Sequence, residues 1–431
     1  MHPVRLALIG AGDRGNAYSR WALAHPDRAR VVAVAEPQDE RRERFAVDHG
    51  IAAAAQYPSW EQLLADPALD VDAVLIATQD SGHAAPAIAA ARRGLHIMLE
   101  KPLAPTPEEC VRVVDAVAEA GVMLAVCHVL RYAPYTRLVK SLLDGGAIGD
   151  VVSVQHHEPV GFWHQAHSFV RGNWRREDLS SFMLLAKSCH DIDWLQHVVG
   201  RDITRVSSFG GLRHFRPEHR PDGAADRCLD CAVEPGCPYS APRLYRDRLA
   251  RGHHGWPLSV VTPVFTEEAL TAALREGPYG RCVYACDNDV VDHQVVAMEF
   301  AGGVSAVFTM NAFNTGGHRR TRIFGTRGEL VCEGTAITVH DFVTGTATRH
   351  DPATAGGADA AGGHGGGDAG LMDAFTAAVA TGERDRILSG PAATLNSHLA
   401  TFAAEQARHE GAVITVQRPG TTLAPTPSFG G

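Results

Sequence analysis

Apolar and polar positions follow a regular grammar over the first third of the chain. Short apolar runs at Val4–Ile9, Val31–Ala35, Ala73–Ala77, His96–Leu99 and Val122–Cys127 read as buried strands. The segments between them carry helical spacing, as in Pro107–Ala120, which is entered through a Thr106 cap. Strands alternating with helices predict a doubly wound parallel sheet, and residues 1–128 are expected to form it.

After Tyr132 the pattern changes. Helices are expected near Pro134–Leu143 and Phe182–Val199, with a strand near Val151–Glu158 between them. His293–Phe300 and Val304–Met310, joined by Ala301-Gly302-Gly303, have the form of a hairpin. Arg320–Phe324, Glu329–Cys332 and Ala336–Asp341 extend it. Residues 129–417 are therefore expected to be an α+β domain whose large, open, mostly antiparallel sheet carries helices on one face. Within that domain, residues 213–286 read as a cysteine-rich insertion with little apolar periodicity, and 351–370 as a low-complexity loop rich in Gly and Ala. Helical spacing returns at Leu371–Ala380 and Ala392–His409, and residues 418–431 read as a tail.

A length of 431 residues suits two domains, each with its own core, and makes a cleft between them the natural place for a site. A net charge of −9 disfavours nucleic acid, because phosphate backbones are bound by excess Lys and Arg. With 45% hydrophobic and 21% charged residues the composition is that of a globular protein without a membrane phase. Met1-His2-Pro3 runs directly into a strand without the features of a secretory leader, so a cytoplasmic location is expected.

Strand Leu6–Ile9 leads into Gly10-Ala11-Gly12-Asp13-Arg14-Gly15, a GxGxxG turn opening a helix. The glycines permit a tight turn and let backbone N–H groups approach a pyrophosphate, whose charge the helix dipole favours. Glu36 ends the next strand, where a carboxylate can accept from a ribose 2′-hydroxyl and repel a 2′-phosphate. NAD is thus expected over NADP, with Arg41 and Arg42 moderating the preference. Thr78, Asp80 and His83 follow another strand end and are candidates to line the cofactor path. Strand His96–Leu99 ends in Glu100-Lys101-Pro102, where a lysine in the crevice can stabilise a developing alkoxide.

These features, in this order, resemble the glucose–fructose oxidoreductase/inositol dehydrogenase (Gfo/Idh/MocA) family: the N-terminal GxGxxG, Glu36, the pair Thr78 and His83, and Glu100-Lys101-Pro102. Gly145-Gly146-Ala147-Ile148-Gly149-Asp150 and the segment Ser397–Glu405 extend the likeness over nearly the whole chain. The resemblance implies a catalytic or substrate-orienting Lys101 and a cis peptide before Pro102. It also implies a helix bearing Asp, then His four residues on, then Asp three further on. Here His190 and Asp193 match, but Ala186 stands where the first Asp is expected. Lys187, three residues before His190, would share its helix face, lower its pKa and position substrate. His190 is then expected to take a hydroxyl proton.

His128, Arg131, His167, Arg171, Asn173, Trp174 and Asp191 complete the candidate substrate contacts, a mixture of aromatic faces and donors suited to a polyhydroxylated ligand. Among nine cysteines, an odd count that suits a reducing compartment, Cys228, Cys231, Cys237, Cys282 and Cys286 crowd together. Four of these five are expected to bind a structural zinc; an iron–sulfur cluster and metal-free thiols are the alternatives.

Three functions fit. The first is a dehydrogenase acting on a sugar, polyol or cyclitol hydroxyl. The second is an NAD-dependent glycosidase or lyase using transient oxidation and elimination. The third is a non-catalytic NAD-binding sensor. A homo-oligomer is expected, because an open sheet face commonly packs on a second subunit.

Overall fold

The computed structural model describes residues 2–352 and 364–419. Six strands, β1 (Val4–Ile9), β2 (Ala29–Ala35), β3 (Gln56–Tyr57), β4 (Ala73–Ile76), β5 (His96–Leu99) and β6 (Leu124–Val126), pair in parallel in the order β3-β2-β1-β4-β5-β6. The chain leaves β3 at one edge and re-enters at β4 on the other side of β1. The carboxyl ends of β1 and β4 therefore flank a switch point, where open α/β sheets leave a crevice. All four residues of β4 are buried, as expected of a strand covered by helices on both faces.

The second sheet has nine strands: β7 (Val151–Pro159), β8 (Ile203–Gly211), β9 (His293–Phe300), β10 (Ser305–Asn311), β11 (Arg320–Gly325), β12 (Gly328–Glu333), β13 (Ala336–Asp341), β14 (Ala347–His350) and β15 (Ile414–Thr415). Their order is β14-β13-β12-β11-β7-β10-β9-β8-β15, and every pairing is antiparallel except that of β10 with β7. The hairpin expected from Ala301-Gly302-Gly303 is the β9–β10 pair. Strand β8 escaped the sequence reading because Ser207, Ser208, Gly210 and Gly211 dilute its apolar alternation.

Three local expectations change. The helix anticipated over Phe182–Val199 is two, Met183–Ala186 and Cys189–Val199, separated by a turn at Lys187-Ser188. Lys187 has turned to Glu158 and the Ser188 hydroxyl faces Met310 Sδ at 3.2 Å, so neither side chain extends the helix face. The insertion was expected to lack a core, yet Ala241–Ala250 and Glu267–Glu276 are helices that bury Tyr245, Leu258, Leu270 and Leu274 together. The low-complexity loop gives way to helix Gly367–Thr381 earlier than expected. The rest of that loop, 353–363, and the tail from 420 lie outside the described residues.

Helix Pro391–Glu410 joins the two halves. Its Leu395 and Leu399 belong to the core of the first sheet, whereas Ala400, Ala403 and Ala404 belong to that of the second. Phe308 is fully buried in that second core, and Phe342 is 62% exposed in the β13–β14 turn. Phe308→Ala should lower stability by about 3–5 kcal/mol, and Phe342→Ala by no more than about 0.5 kcal/mol. Equal shifts of the two denaturant midpoints would contradict this division of the sheet into buried and open sides.

Candidate active site

The glycine turn has the shape of a cradle. Gly10 adopts φ +94°, and a Cβ there would meet the Ala77 carbonyl oxygen at 2.6 Å. A Cβ on Gly15 would strike the Gly10 carbonyl oxygen at 2.2 Å, so close helix–strand packing requires that glycine. Gly12 differs: a Cβ would meet no protein atom within 4 Å, and the open space lies at the N-terminus of helix Asp13–Ala24. The buried Glu36 carboxylate accepts from the Ala11 N–H at 2.9 Å and the Gln38 N–H at 3.0 Å, which fixes it beside that space. These features fit a dinucleotide. Asp13 is exposed at the start of the helix.

Other residues assigned to the cofactor instead tie loops together. Arg14 donates to Glu100 at 2.6 Å and to Asp368 at 2.8 Å and lies 4.5 Å from the centre of the Tyr18 ring. Asp80 is buried and accepts from the hydroxyls of Ser180 and Ser181, both at 3.0 Å. His83 Nδ1 lies 2.6 Å from the Pro102 carbonyl oxygen, and its Nε2 lies 3.2 Å from that of Thr78. The Thr78 hydroxyl donates to the Gly82 carbonyl at 2.9 Å. These contacts fix the shape of the crevice, with Asp80 taking both hydroxyls on Oδ2.

The Glu100 carboxylate also accepts from Tyr18 Oη at 2.9 Å and from the Lys101 N–H at 2.6 Å. Burial would raise its pKa, but Arg14 and Lys101 outweigh burial and hold it below the usual range. The Lys101–Pro102 peptide is cis. From this turn Lys101 Nζ crosses to the second half of the molecule and donates to the Ala186 carbonyl at 2.5 Å. The residue that replaces the anticipated carboxylate thus meets the lysine through its backbone.

Beside this contact lies a cluster of buried imidazoles. His128 stands edge-on to His190, with ring centres 5.7 Å apart, and to His398 at 5.3 Å. Burial lowers the His128 pKa to about 3, and Lys101 adds to that direction. His398 Nε2 accepts from the Leu103 N–H at 2.9 Å while its Nδ1 donates to Thr394, and burial lowers its pKa to about 4. Arg131 grips Asp193 with two bonds of 2.7 Å, and Ser397 donates to the same carboxylate at 3.0 Å. Burial opposes ionisation of Asp193, but Arg131 and His128 lower its pKa to about 2.

The floor beyond Lys187 is a charge network that sequence reasoning missed. Lys187 Nζ pairs with Glu158 Oε1 at 2.9 Å, and Arg319 meets Glu158 Oε2 at 3.2 Å. Arg319 also pairs with the fully buried Asp191, which faces His156 Nε2 at 3.0 Å. Asp191 therefore lies inside the network rather than open to substrate. Lys187 thus has Glu158 as its counter-ion, and the turn at Lys187-Ser188 separates it from the helix that carries His190. The pKa of a different imidazole, His164, is lowered well below its ordinary value by burial and then by Lys187, His167 and Lys101. The alternation Val154-x-His156-x-Glu158 along β7, all buried, was the available signal for two members of the network.

The candidate substrate run divides. Arg171 is buried and donates to the carbonyls of Arg281 and Tyr239, both at 2.7 Å, and His167 Nδ1 meets Tyr245 Oη at 2.6 Å. Both side chains face the insertion. Trp174 packs on the second core near Phe169, and Asn173 is exposed. Cys228, Cys231, Cys237 and Cys282 line one cavity, whereas Cys286 turns its Sγ to the Cys282 carbonyl at 3.2 Å. Among the described residues no three of these sulfurs lie within 4.8 Å of one another.

Comparison with known proteins fits this architecture. The family described as "Oxidoreductase family, NAD-binding Rossmann fold" matches residues 4–128, and the one described as "Oxidoreductase family, C-terminal alpha/beta domain" matches residues 140–416. Scyllo-inositol 2-dehydrogenase (NAD(+)) of Bacillus subtilis is 30% identical over 230 residues, covering 53% of this chain and 63% of that protein. 2,7-anhydro-N-acetylneuraminate hydratase of Escherichia coli is 29% identical, covering 50% of this chain and 55% of that protein. The match thus spans less than two thirds of the length of each. A solved levoglucosan dehydrogenase in complex with NADH shares the fold, with TM-score 0.69, 21% identity and coverage of 97% of this chain and 100% of that one. Among the described residues no helix is long and apolar enough to cross a membrane.

The buried imidazoles make stability depend on pH with a definite sign. His128 and His398 have folded pKa values of about 3 and about 4 against an ordinary 6.5. Below 6.5 the unfolded chain therefore binds protons that the folded chain refuses. Their contribution is complete above that pH and falls as pH drops toward 4, by about 1.4 kcal/mol per pH unit for each imidazole. His167 and His197 act in the same direction. Urea midpoints measured at successively lower pH should fall, and less steeply for His398→Gln; a midpoint constant across that window would contradict the neutral cluster.

Proposed function

The chain belongs to the Gfo/Idh/MocA oxidoreductase family, and from that premise we propose that it is an NAD-dependent dehydrogenase of a sugar, polyol or cyclitol hydroxyl. One observation carries the reading: the Lys101 ammonium, mounted on the first half, meets the Ala186 carbonyl of the second beside the His128–His190 pair. When bound, NAD supplies the hydride acceptor. The N–H groups of the turn Gly10–Gly15 hold its pyrophosphate, and Glu36 accepts from its ribose.

Glu36 also supports NAD over NADP. Arg42 is spent on the Glu36 carbonyl at 2.7 Å and on Asp39, so it is not free to compensate a 2′-phosphate. Glu36→Ser should narrow the ratio of the two cofactor affinities; an unchanged ratio would remove this role.

Lys101 donates to the substrate oxygen and stabilises the charge that develops there. Its protein acceptor is a neutral carbonyl, so its charge remains available for that task. His190 takes the hydroxyl proton, and neutral His128 supports its ring. Lys187, Glu158 and Arg319 form a polar wall that orients the remaining hydroxyls. Self-association through the outer face of the second sheet is supported by the exposed, paired Phe209 and Val295.

A second reading is oxidation followed by elimination and re-reduction. It is favoured by Ala186, which leaves lysines and imidazoles as the acid–base set, and by the likeness to a protein named as a hydratase. Sugars, cyclitols and their glycosides should be screened with NAD, following NADH absorbance and product release separately. NADH formation supports the dehydrogenase; release without NADH supports the second reading. Lys101→Ala should lower kcat/KM by about 10²–10³-fold with NAD binding intact. Parental turnover by that variant would refute the proposed role.

A further inference from the structure

Arg248 lies on the insertion helix Ala241–Ala250 and differs from the arginines around it. Arg246 and Arg251 pair with Glu267 and Asp247, and Arg243 donates to the Glu234 and Pro235 carbonyls. Among the described residues the Arg248 side chain has no ion pair and no hydrogen bond, and its Nε is buried without an acceptor. Its Cζ lies instead 4.7 Å from the centre of the Trp163 ring.

A guanidinium over an indole face is attracted by the ring's quadrupole, which holds the group in place without neutralising it. The charge of Arg248 is thus fixed in position while lacking a counter-ion among the described residues. A carboxylate is the matching partner, since its two oxygens accept from the planar fork together and bring a single negative charge.

The surroundings suit a sugar ring beside that carboxylate. Trp256, from the loop after the same helix, stands 5.6 Å from Trp163 and edge-on to His164 and His167 at 4.9 and 5.3 Å. It remains 41% exposed in spite of these contacts, so part of the indole is open to a ligand. An indole accepts the C–H face of a sugar and leaves the hydroxyls to polar groups.

The cluster adjoins the crevice. Trp163 and His164 follow closely on the strand that carries Glu158, the partner of Lys187. The Phe162 N–H donates to the Asn314 carbonyl at 2.9 Å, and Arg319, further along that loop, returns to Glu158. The fields of Lys187 and Lys101 reach His164, where they add to burial in lowering its pKa. From His164 the ring contacts run through the two indoles to Arg248, so an anion held there belongs to a part of the substrate other than the reacting hydroxyl.

We infer that Arg248 binds a carboxylate of the substrate, with Trp163 and Trp256 against the ring that bears it. The substrate class is then an acidic sugar or its glycoside, a uronate or uronide. This assignment rests on the dehydrogenase reading of the same crevice.

The full chain with NAD should be titrated with matched pairs, methyl glucuronide against methyl glucoside and galacturonate against galactose. Tryptophan emission reports binding, and NADH absorbance reports turnover. The acid of each pair should bind more tightly, and Arg248→Met should reduce that preference by about 10–100-fold. Arg248→Lys, which keeps the charge but not the fork, should lose less. Equal affinity for acid and neutral sugars, an undiminished preference in Arg248→Met, or tighter binding of glucose 6-phosphate than of the glucuronide would overturn the assignment. Acid-selective binding that depends on Arg248 but yields no NADH would uphold it and count against the dehydrogenase. Turnover of neutral sugars without an acid preference would do the reverse.

Discussion

The bond from the Lys101 ammonium to the Ala186 carbonyl spans the junction of the two halves, and the geometry of the cleft depends on what holds its ends. On the Rossmann side, Glu100 accepts from Arg14, Tyr18 and the Lys101 N–H, so the turn is fixed to helix Asp13–Ala24. His83 faces the Pro102 carbonyl, and His398 accepts from Leu103. Glu100, Pro102 and Leu103 of one turn are thereby tied to three different elements. A long, flexible side chain starting from so fixed a backbone has few places to go, which limits the entropy lost when it meets a ligand.

The second half is equally constrained, by different means. Arg131 and Asp193 form a buried bidentate pair linking the end of the first half to helix Cys189–Val199, the helix that carries His190. Buried pairs of this kind give little net stability but penalise any arrangement that separates them. Helix Pro391–Glu410 reinforces the junction by contributing to both cores. Polar specificity and apolar packing therefore act on the same boundary.

Much of this was legible in the sequence. Parallel strands buried on both faces are continuous apolar runs, and the glycine turn is constrained by sterics that only glycine satisfies. Hence five of the six strands of the first sheet and its glycine turn could be read from the chain, whereas the two-residue β3 carries too little apolar pattern to show. Side-chain direction was not legible. Arg171 and His167 belong to a run that looks suited to a sugar, yet a π-helical turn aims them at the insertion. Arg319 is far along the chain from Glu158 and reaches it only because β11 is paired with β7. The cavity lined by four cysteines was legible as a cluster of thiols, but its sulfur separations were not.

The account stands on Lys101 and His190 serving one hydroxyl group. The most direct measurement is a double-mutant cycle on kcat/KM, with Lys101→Ala, His190→Ala and the double variant, using the substrate identified by screening. Groups that act as a unit on one oxygen lose their effect together, so the double variant should be scarcely slower than the worse single variant. Losses that multiply would place the two side chains in separate tasks and contradict the shared site.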